Sequence, residues 1–228
     1  MPTSGETQAH RDLKCLAAGW ARANRLLLFG TEVRLPRCNY RADVAAATSQ
    51  ILSMHAYTAV FECKASRADF LRDAAPDLAT KQKILALHSR LMGLRQLIGE
   101  HRPDLRRGDE LFPAFEAVDL RGVRHDTHDR LSVEFRIAQR KLYQATKFSK
   151  MARWRSASLL YIVAEPETLN ESEVPDGWGL LVRENDTLDL RVKPILNPTT
   201  VEERVALLER ICASARPKLA PKSYSILL

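Results

Sequence analysis

Asp43, Glu62 and Lys64 are the residues of this chain whose types and spacing could do chemistry. Glu62 and Lys64 stand two apart in an apolar run, Thr58 to Ala65, that reads as a strand. Strand side chains alternate faces, so Glu62 and Lys64 share one side and Cys63 points to the other. A carboxylate beside an ammonium on one sheet face, joined by a second carboxylate (Asp43) from the neighbouring strand, can hold a divalent metal and activate a water. The plainer reading of Glu62 and Lys64 is an exposed ion pair, which is common and weak. Their apolar flanks Val60, Phe61 and Ala65, with Asp43 upstream, favour a site.

The elements that must position these groups follow from periodicity. Leu13, Leu16, Ala17 and Trp20 recur at helical spacing and predict a helix over residues 6–25. Leu26 to Phe29 either continues it or turns into the first strand. Gly30 marks a break, and Thr31 to Leu35 reads as a short strand. Pro36 to Asn39 is a turn, Tyr40 to Thr48 the second strand, Ser49 to Tyr57 a loop, and Thr58 to Ala65 the central strand. Ser66 to Asp73 opens a helix with Ser66 as N-cap and Asp69 at its third position.

Further on, Ile84, Leu87, Leu91, Leu94 and Ile98 predict an amphipathic helix from about Thr80 to Glu100. His101 to Phe115, with Pro103, Gly108 and Pro113, reads as a loop. Phe135, Ala138, Leu142, Ala145, Phe148 and Met151 form one stripe of a single helix from about Asp129 to Trp154. A strand over Ser158 to Ala164, an acidic loop to Gly177, a hairpin-like pair (Trp178 to Arg183 and Leu188 to Lys193) and a closing helix over Val201 to Ala215, capped by Thr199 or Thr200, complete the pattern. The tail from Arg216 reads as loosely held.

The spaced set resembles the PD-(D/E)XK nuclease superfamily, whose signature is an acid, a spacer, then Glu-x-Lys between apolar residues. Here the acid is Asp43 and the triplet is Glu62-Cys63-Lys64. TEVRL (Thr31 to Leu35), YRADVAA (Tyr40 to Ala46), FECKASRADFLRD (Phe61 to Asp73) and GWGLLV (Gly177 to Val182) are similar to the pattern of one branch, the MmcB-like DNA-repair family. Ala42 stands where the signature has proline.

The resemblance implies an α/β fold: a restriction-endonuclease-like core with a mixed central sheet flanked by helices. The whole chain, 1–228, then forms one nuclease-like domain, with its core at about 6–76 and 146–215 and a mainly helical insertion at 77–145. It further implies a metal-dependent nuclease that hydrolyses DNA phosphodiester bonds in repair or processing. Asp43, Glu62 and the main-chain carbonyl of Cys63 would hold Mg²⁺ or Mn²⁺, and Lys64 would orient water or stabilise negative charge. Glu32, in the strand before Asp43, is a further candidate acid. Its alternative is an exposed strand glutamate.

Ser66 and Arg67 sit where a helix N-terminus favours anions and are candidate phosphate contacts. Simple capping and a surface arginine are the alternative. Lys147, Lys150 and Arg153 lie on a basic helix face beside Trp154 and are candidate nucleic-acid contacts, though Trp154 reads as core more readily than as a stacking platform. His125 and His128 stand three apart among Asp126 and Asp129, but no third ligand is fixed, so a charged loop is preferred over a zinc site.

Composition agrees with a polyanionic partner. The net charge is +7, and residues 156–228 are acidic, with 8 basic against 11 acidic residues, so the excess lies on residues 1–155. A soluble basic protein with solvated helix faces would look similar. The 45% hydrophobic fraction suffices for a core. Four scattered cysteines without a CxxC pair predict a reducing, cytoplasmic setting. No apolar stretch reaches the roughly 18 residues of a membrane span, so no membrane partner is expected. DNA is the expected partner, with RNA and a homodimer left open. Two rivals stand beside the nuclease: a non-catalytic nucleic-acid-binding module on the same fold, and an interaction protein whose two long helices pack against a partner or a second copy.

Overall fold

The computed structural model describes residues 7–73, 78–108, 116–120, 123–143, 146–153 and 157–215. The first helix, α1 (Gln8–Ala23), begins where the Thr7 hydroxyl accepts the His10 N–H at 3.3 Å, and its buried stripe is Leu13, Ala17 and Ala21. Three antiparallel strands follow: β1 (Leu28–Arg34), β2 (Arg41–Ala47) and β3 (Thr58–Lys64). Then come α2 (Arg67–Asp73), α3 (Leu78–His101), a 3-10 turn (Pro103–Leu105), β4 (Arg106–Gly108), β5 (Glu116–Val118), α4 (Asp126–Tyr143) and α5 (Lys147–Arg153). The chain returns to the sheet as β6 (Leu159–Ala164), β7 (Gly179–Glu184) and β8 (Thr187–Val192), and α6 (Val201–Ser214) closes it.

The main sheet has six strands in the order β1-β2-β3-β6-β7-β8. β3 pairs in parallel with β6, and β6 with β7, while the outer pairs are antiparallel, so the sheet is mixed. β3 and β6 are buried along their whole length because each has a strand on both sides and helices over both faces. On one face α1 sets Leu13, Ala17 and Ala21 against Val44, Ala46, Phe61, Cys63 and Tyr161. Phe61 and Tyr161 stack there and Trp20 meets both edge-on, with ring centroids 5.1 to 6.1 Å apart. On the other face Phe70 of α2, Ile84 and Leu91 of α3, Leu142 of α4, Phe148 and Met151 of α5, and Leu207 and Ile211 of α6 close a larger core over Val60, Leu160 and Ile162.

Several expectations change. Gly30 lies inside β1 rather than ending an element, and β1 begins at Leu28. The glycine is there because α6 crosses so closely: a Cβ on Gly30 would stand 2.3 Å from Ser214 Oγ and 3.2 Å from the Ile211 carbonyl oxygen. The single helix expected over 129–154 is two, and it starts earlier, at Asp126, taking in the segment read as a charged loop. Thr146, a bend just ahead of α5, donates its hydroxyl to the Tyr143 carbonyl at 2.8 Å and accepts the Lys150 N–H on its own carbonyl at 3.2 Å. The segment read as a loop after His101 contains β4, which pairs antiparallel with β5 in a separate two-stranded sheet. A three-residue strand carries too little periodicity to be seen in sequence. The acidic loop holds a 3-10 turn, Glu171–Glu173, and Thr200 rather than Thr199 caps α6, in a box with Glu203. Trp154, the segment between β4 and β5, and the tail from Arg216 lie outside the described residues.

Candidate active site

β2 and β3 stop pairing after Val44↔Phe61, and Asp43 sits where they part. One register step on, Asp43 stands opposite Glu62. Its Oδ2 accepts the Cys63 main-chain N–H at 2.7 Å, a bond from a strand edge that would otherwise be unpaired on this side. Oδ1 faces α1, where His10 Nε2 lies 3.2 Å away and Lys14 Nζ 3.8 Å away. His10 and Lys14 are one helical turn apart, so both reach the same carboxylate. Burial pushes the Asp43 carboxyl up, but the hydrogen bonds from His10 and Cys63 outweigh it and hold Asp43 below the ordinary carboxylate range. The same bond to Asp43 raises His10 above its ordinary value.

Glu62 and Lys64 point to the opposite face from Cys63, toward α2 and α5, as strand alternation requires. Glu62 is 1% exposed. Its Oε2 accepts from Lys147 Nζ of α5 at 2.6 Å, and its Oε1 is buried with no hydrogen-bond partner. Burial, reinforced by the charge on Asp43, pushes the Glu62 carboxyl up to about 7, with Lys147 and Lys64 pulling the other way. Lys64 donates to Asp73 Oδ2 of α2 at 2.7 Å and lies 5.9 Å from the centre of the Phe148 ring. Burial lowers the Lys64 ammonium, but Asp73 and Glu62 outweigh it, so the group stays charged. The Cys63 thiol is buried and pushed well above its ordinary value, an inert core group.

Glu32 falls on β1 between the registered pairs Thr31↔Val44 and Val33↔Ala42, which sets it across from Asp43. It accepts from Lys14 through Oε1 and from Arg41 Nη1 through Oε2 at 3.2 Å, so Lys14 spans the two acids. Its backbone lies in the left-handed region at φ 53°. For a non-glycine residue inside a strand that costs on the order of 1–3 kcal/mol, and such strain gathers at functional sites.

The remaining candidates divide. The Ser66 hydroxyl caps α2, accepting the Asp69 N–H at 3.2 Å. Arg67 forks onto both oxygens of Glu173 at 2.6 Å each and also donates to the Thr168 carbonyl, so its guanidinium ties α2 to the acidic loop. Lys147, expected on an outward basic face, is the first residue of α5 and reaches inward to Glu62. Lys150 and Arg153 are exposed on α5. His128 is buried at the start of α4, with Arg95 Nε 3.4 Å from its Nε2. Sequence reasoning missed His10, Lys14 and Asp73. The one signal was the i, i+4 spacing of His10 and Lys14, which does not say which strand the helix covers.

Asp43 and Glu62 come from adjacent strands but turn to different helices, Asp43 to α1 and Glu62 to α5; each is a hard oxygen donor of the kind Mg²⁺ and Mn²⁺ prefer, and Glu62 Oε1 is buried without a partner. Among the described residues no cluster of three or more His, Cys, Asp or Glu side chains is placed to hold a metal. A site of two carboxylates and a main-chain carbonyl would leave its other positions to water and substrate.

No protein-family model matches the chain, and no curated protein does. A solved structure of a protein of unknown function from Silicibacter pomeroyi is similar, with a TM-score of 0.49 and 15% identity over 92% of this chain and 88% of that one.

Proposed function

We propose that this protein is a metal-dependent nuclease that hydrolyses DNA phosphodiester bonds, built on a restriction-endonuclease-like core and used in repair or processing of DNA. The observation that carries the reading is the juxtaposition of Asp43 and Glu62 at the parting of β2 and β3, with Lys64 two residues beyond Glu62 on the same face. The order α1-β1-β2-β3, a helical crossover and then β6 parallel to β3 supports the core assignment.

Each side chain has a role in that reaction. Asp43 is kept ionised by His10 and the Cys63 N–H. Glu62, raised to about 7, is poised to change protonation near neutrality, and Lys147 holds its Oε2 while Oε1, buried without a partner, is left to receive a metal. Lys64, anchored by Asp73, presents a fixed positive charge to the negative charge that develops on the phosphoryl oxygens. Mg²⁺ or Mn²⁺, held by Asp43, Glu62 and the Cys63 carbonyl, would supply Lewis-acid polarisation of the phosphate and a more acidic bound water. Glu32 and Lys14 position Asp43 from the β1 side.

The runner-up is a nucleic-acid-binding module without turnover. One observation favours it: His10, Lys14 and Lys147 already meet the acids that a metal would need. The test is incubation of the protein with labelled single-stranded, duplex and branched DNA in Mg²⁺, Mn²⁺ or EDTA, beside Asp43→Asn. Metal-dependent cleavage abolished in the variant is expected. Salt-sensitive binding with no cleavage in either metal would replace the nuclease with the module.

A further inference from the structure

Beyond the carboxylate cluster, the turn joining β1 to β2 and the flank of α6 border an open cavity of about 640 Å³. Three arginines, Arg34, Arg37 and Arg210, line it together with Asn39 and Tyr40, and no acidic residue is among its lining. Arg37 is held by Glu203 Oε1 of α6 at 2.9 Å, which fixes one wall. Among the described residues, Arg34 and Arg210 have no carboxylate partner. Like charges gathered on one concavity repel unless an anion joins them, and guanidinium groups match the geometry of phosphate oxygens. The cavity is also close to the cluster along the chain. Tyr40 lines it, and the carbonyl of the next residue, Arg41, lies 3.5 Å from the Lys147 Nζ that holds Glu62.

We propose that the Arg34–Arg37–Arg210 cavity is a phosphate-binding subsite, which holds a backbone phosphate of a DNA strand that runs on to the Asp43–Glu62–Lys64 cluster. This rests on the nucleic-acid reading of that cluster. The subsite positions the strand and carries no sequence information, since phosphate contacts fix register without reading bases. Asn39 adds an amide donor beside the arginines.

Arg34 and Arg210 are exposed, so replacing them with glutamine tests the subsite without opening the core. The experiment measures fluorescence anisotropy of labelled 20-nucleotide single-stranded and duplex DNA, in EDTA, across a salt series. The proteins compared are the full chain and the Arg34→Gln/Arg210→Gln double variant, with thermal melts checking that both are folded. The expected result is at least tenfold weaker binding in the double variant, with the salt dependence of log affinity reduced by about one per arginine. Unchanged affinity and slope in a folded double variant overturn the proposal, as does absence of DNA binding by the wild type. Inorganic phosphate and pyrophosphate form a second arm. If they raise the melting temperature of the wild type alone while DNA binding is equal in both proteins, the cavity serves a small phosphate and the strand assignment is wrong. Arginine-dependent binding by a wild type that cuts no DNA in any metal keeps the subsite and removes the nuclease.

Discussion

At the residue scale, Glu62 couples the site to pH. Its carboxyl titrates at about 7 against an ordinary 4.5, chiefly because it is buried. Between those values the folded chain holds a proton that the unfolded chain has released. Stability contributed by this group is therefore complete below the unfolded value and lost as pH rises through the folded one, by on the order of 3 kcal/mol. His10, also raised, acts in the same direction above its ordinary 6.5, whereas Asp43, lowered, gives stability that is lost only as pH falls below its ordinary 3.8. Glu62→Gln should flatten the loss between pH 4.5 and 7, which urea denaturation at pH 5 and pH 7.5 would read. An equal loss in the variant would mean that Glu62 is not the group responsible. The trio Asp43, Glu62 and Lys64 was legible in the chain because strand alternation alone puts Glu62 and Lys64 on one face. His10 and Lys14 were not, since their meeting with Asp43 depends on how α1 lies across β2 and β3, a tertiary fact with no local signal.

At the element scale, short range decides what sequence reveals. α1, β2, β3 and β6 were readable because each has a long apolar period and a definite cap or flank. The division of α4 from α5 was hidden because one apolar stripe, Phe135 to Met151, runs through both. What breaks it is hydrogen bonding at Thr146, which periodicity does not sense. Lys147, just beyond it, is the partner of Glu62 rather than a surface charge. β1 was misplaced for a related reason: Gly30 reads as punctuation, but its smallness serves the crossing of α6. Gly30→Ala should therefore destabilise the fold by about 1–3 kcal/mol, the usual cost of an added methyl in a packed contact. A shifted urea midpoint would register it. A midpoint equal to wild type would mean that α6 moves aside freely.

At the scale of the whole molecule, the six-stranded mixed sheet brings the carboxyl end of β3 and the amino end of β2 together. α1 covers one face there, and α2 and α5 the other. Open α/β sheets place ligands outside the carboxyl ends of parallel strands, and the Glu62–Lys64 segment lies at such an end, beside β6. The same end carries the arginine-lined cavity, so Arg34, Arg37 and Arg210 lie toward the end that holds the acids. Among the described residues no helix is long and apolar enough to cross a membrane.

In the proposed reaction Lys64 stabilises negative charge on a DNA phosphodiester that a metal at Asp43 and Glu62 would bind. Removing Lys64 also leaves the half-exposed Asp73 without its ion-pair partner and opens space beside Phe148. Lys64→Met, which keeps the stem against Phe148, should therefore accompany Lys64→Ala. The measurement is the single-turnover cleavage rate of the best DNA substrate in Mg²⁺, wild type beside both variants at a temperature where all three are folded. A fall of about a hundredfold to a thousandfold in both is predicted, the size seen when one charge-stabilising group is removed. Cleavage by folded Lys64→Met at the wild-type rate would mean that Lys64 takes no part in the reaction.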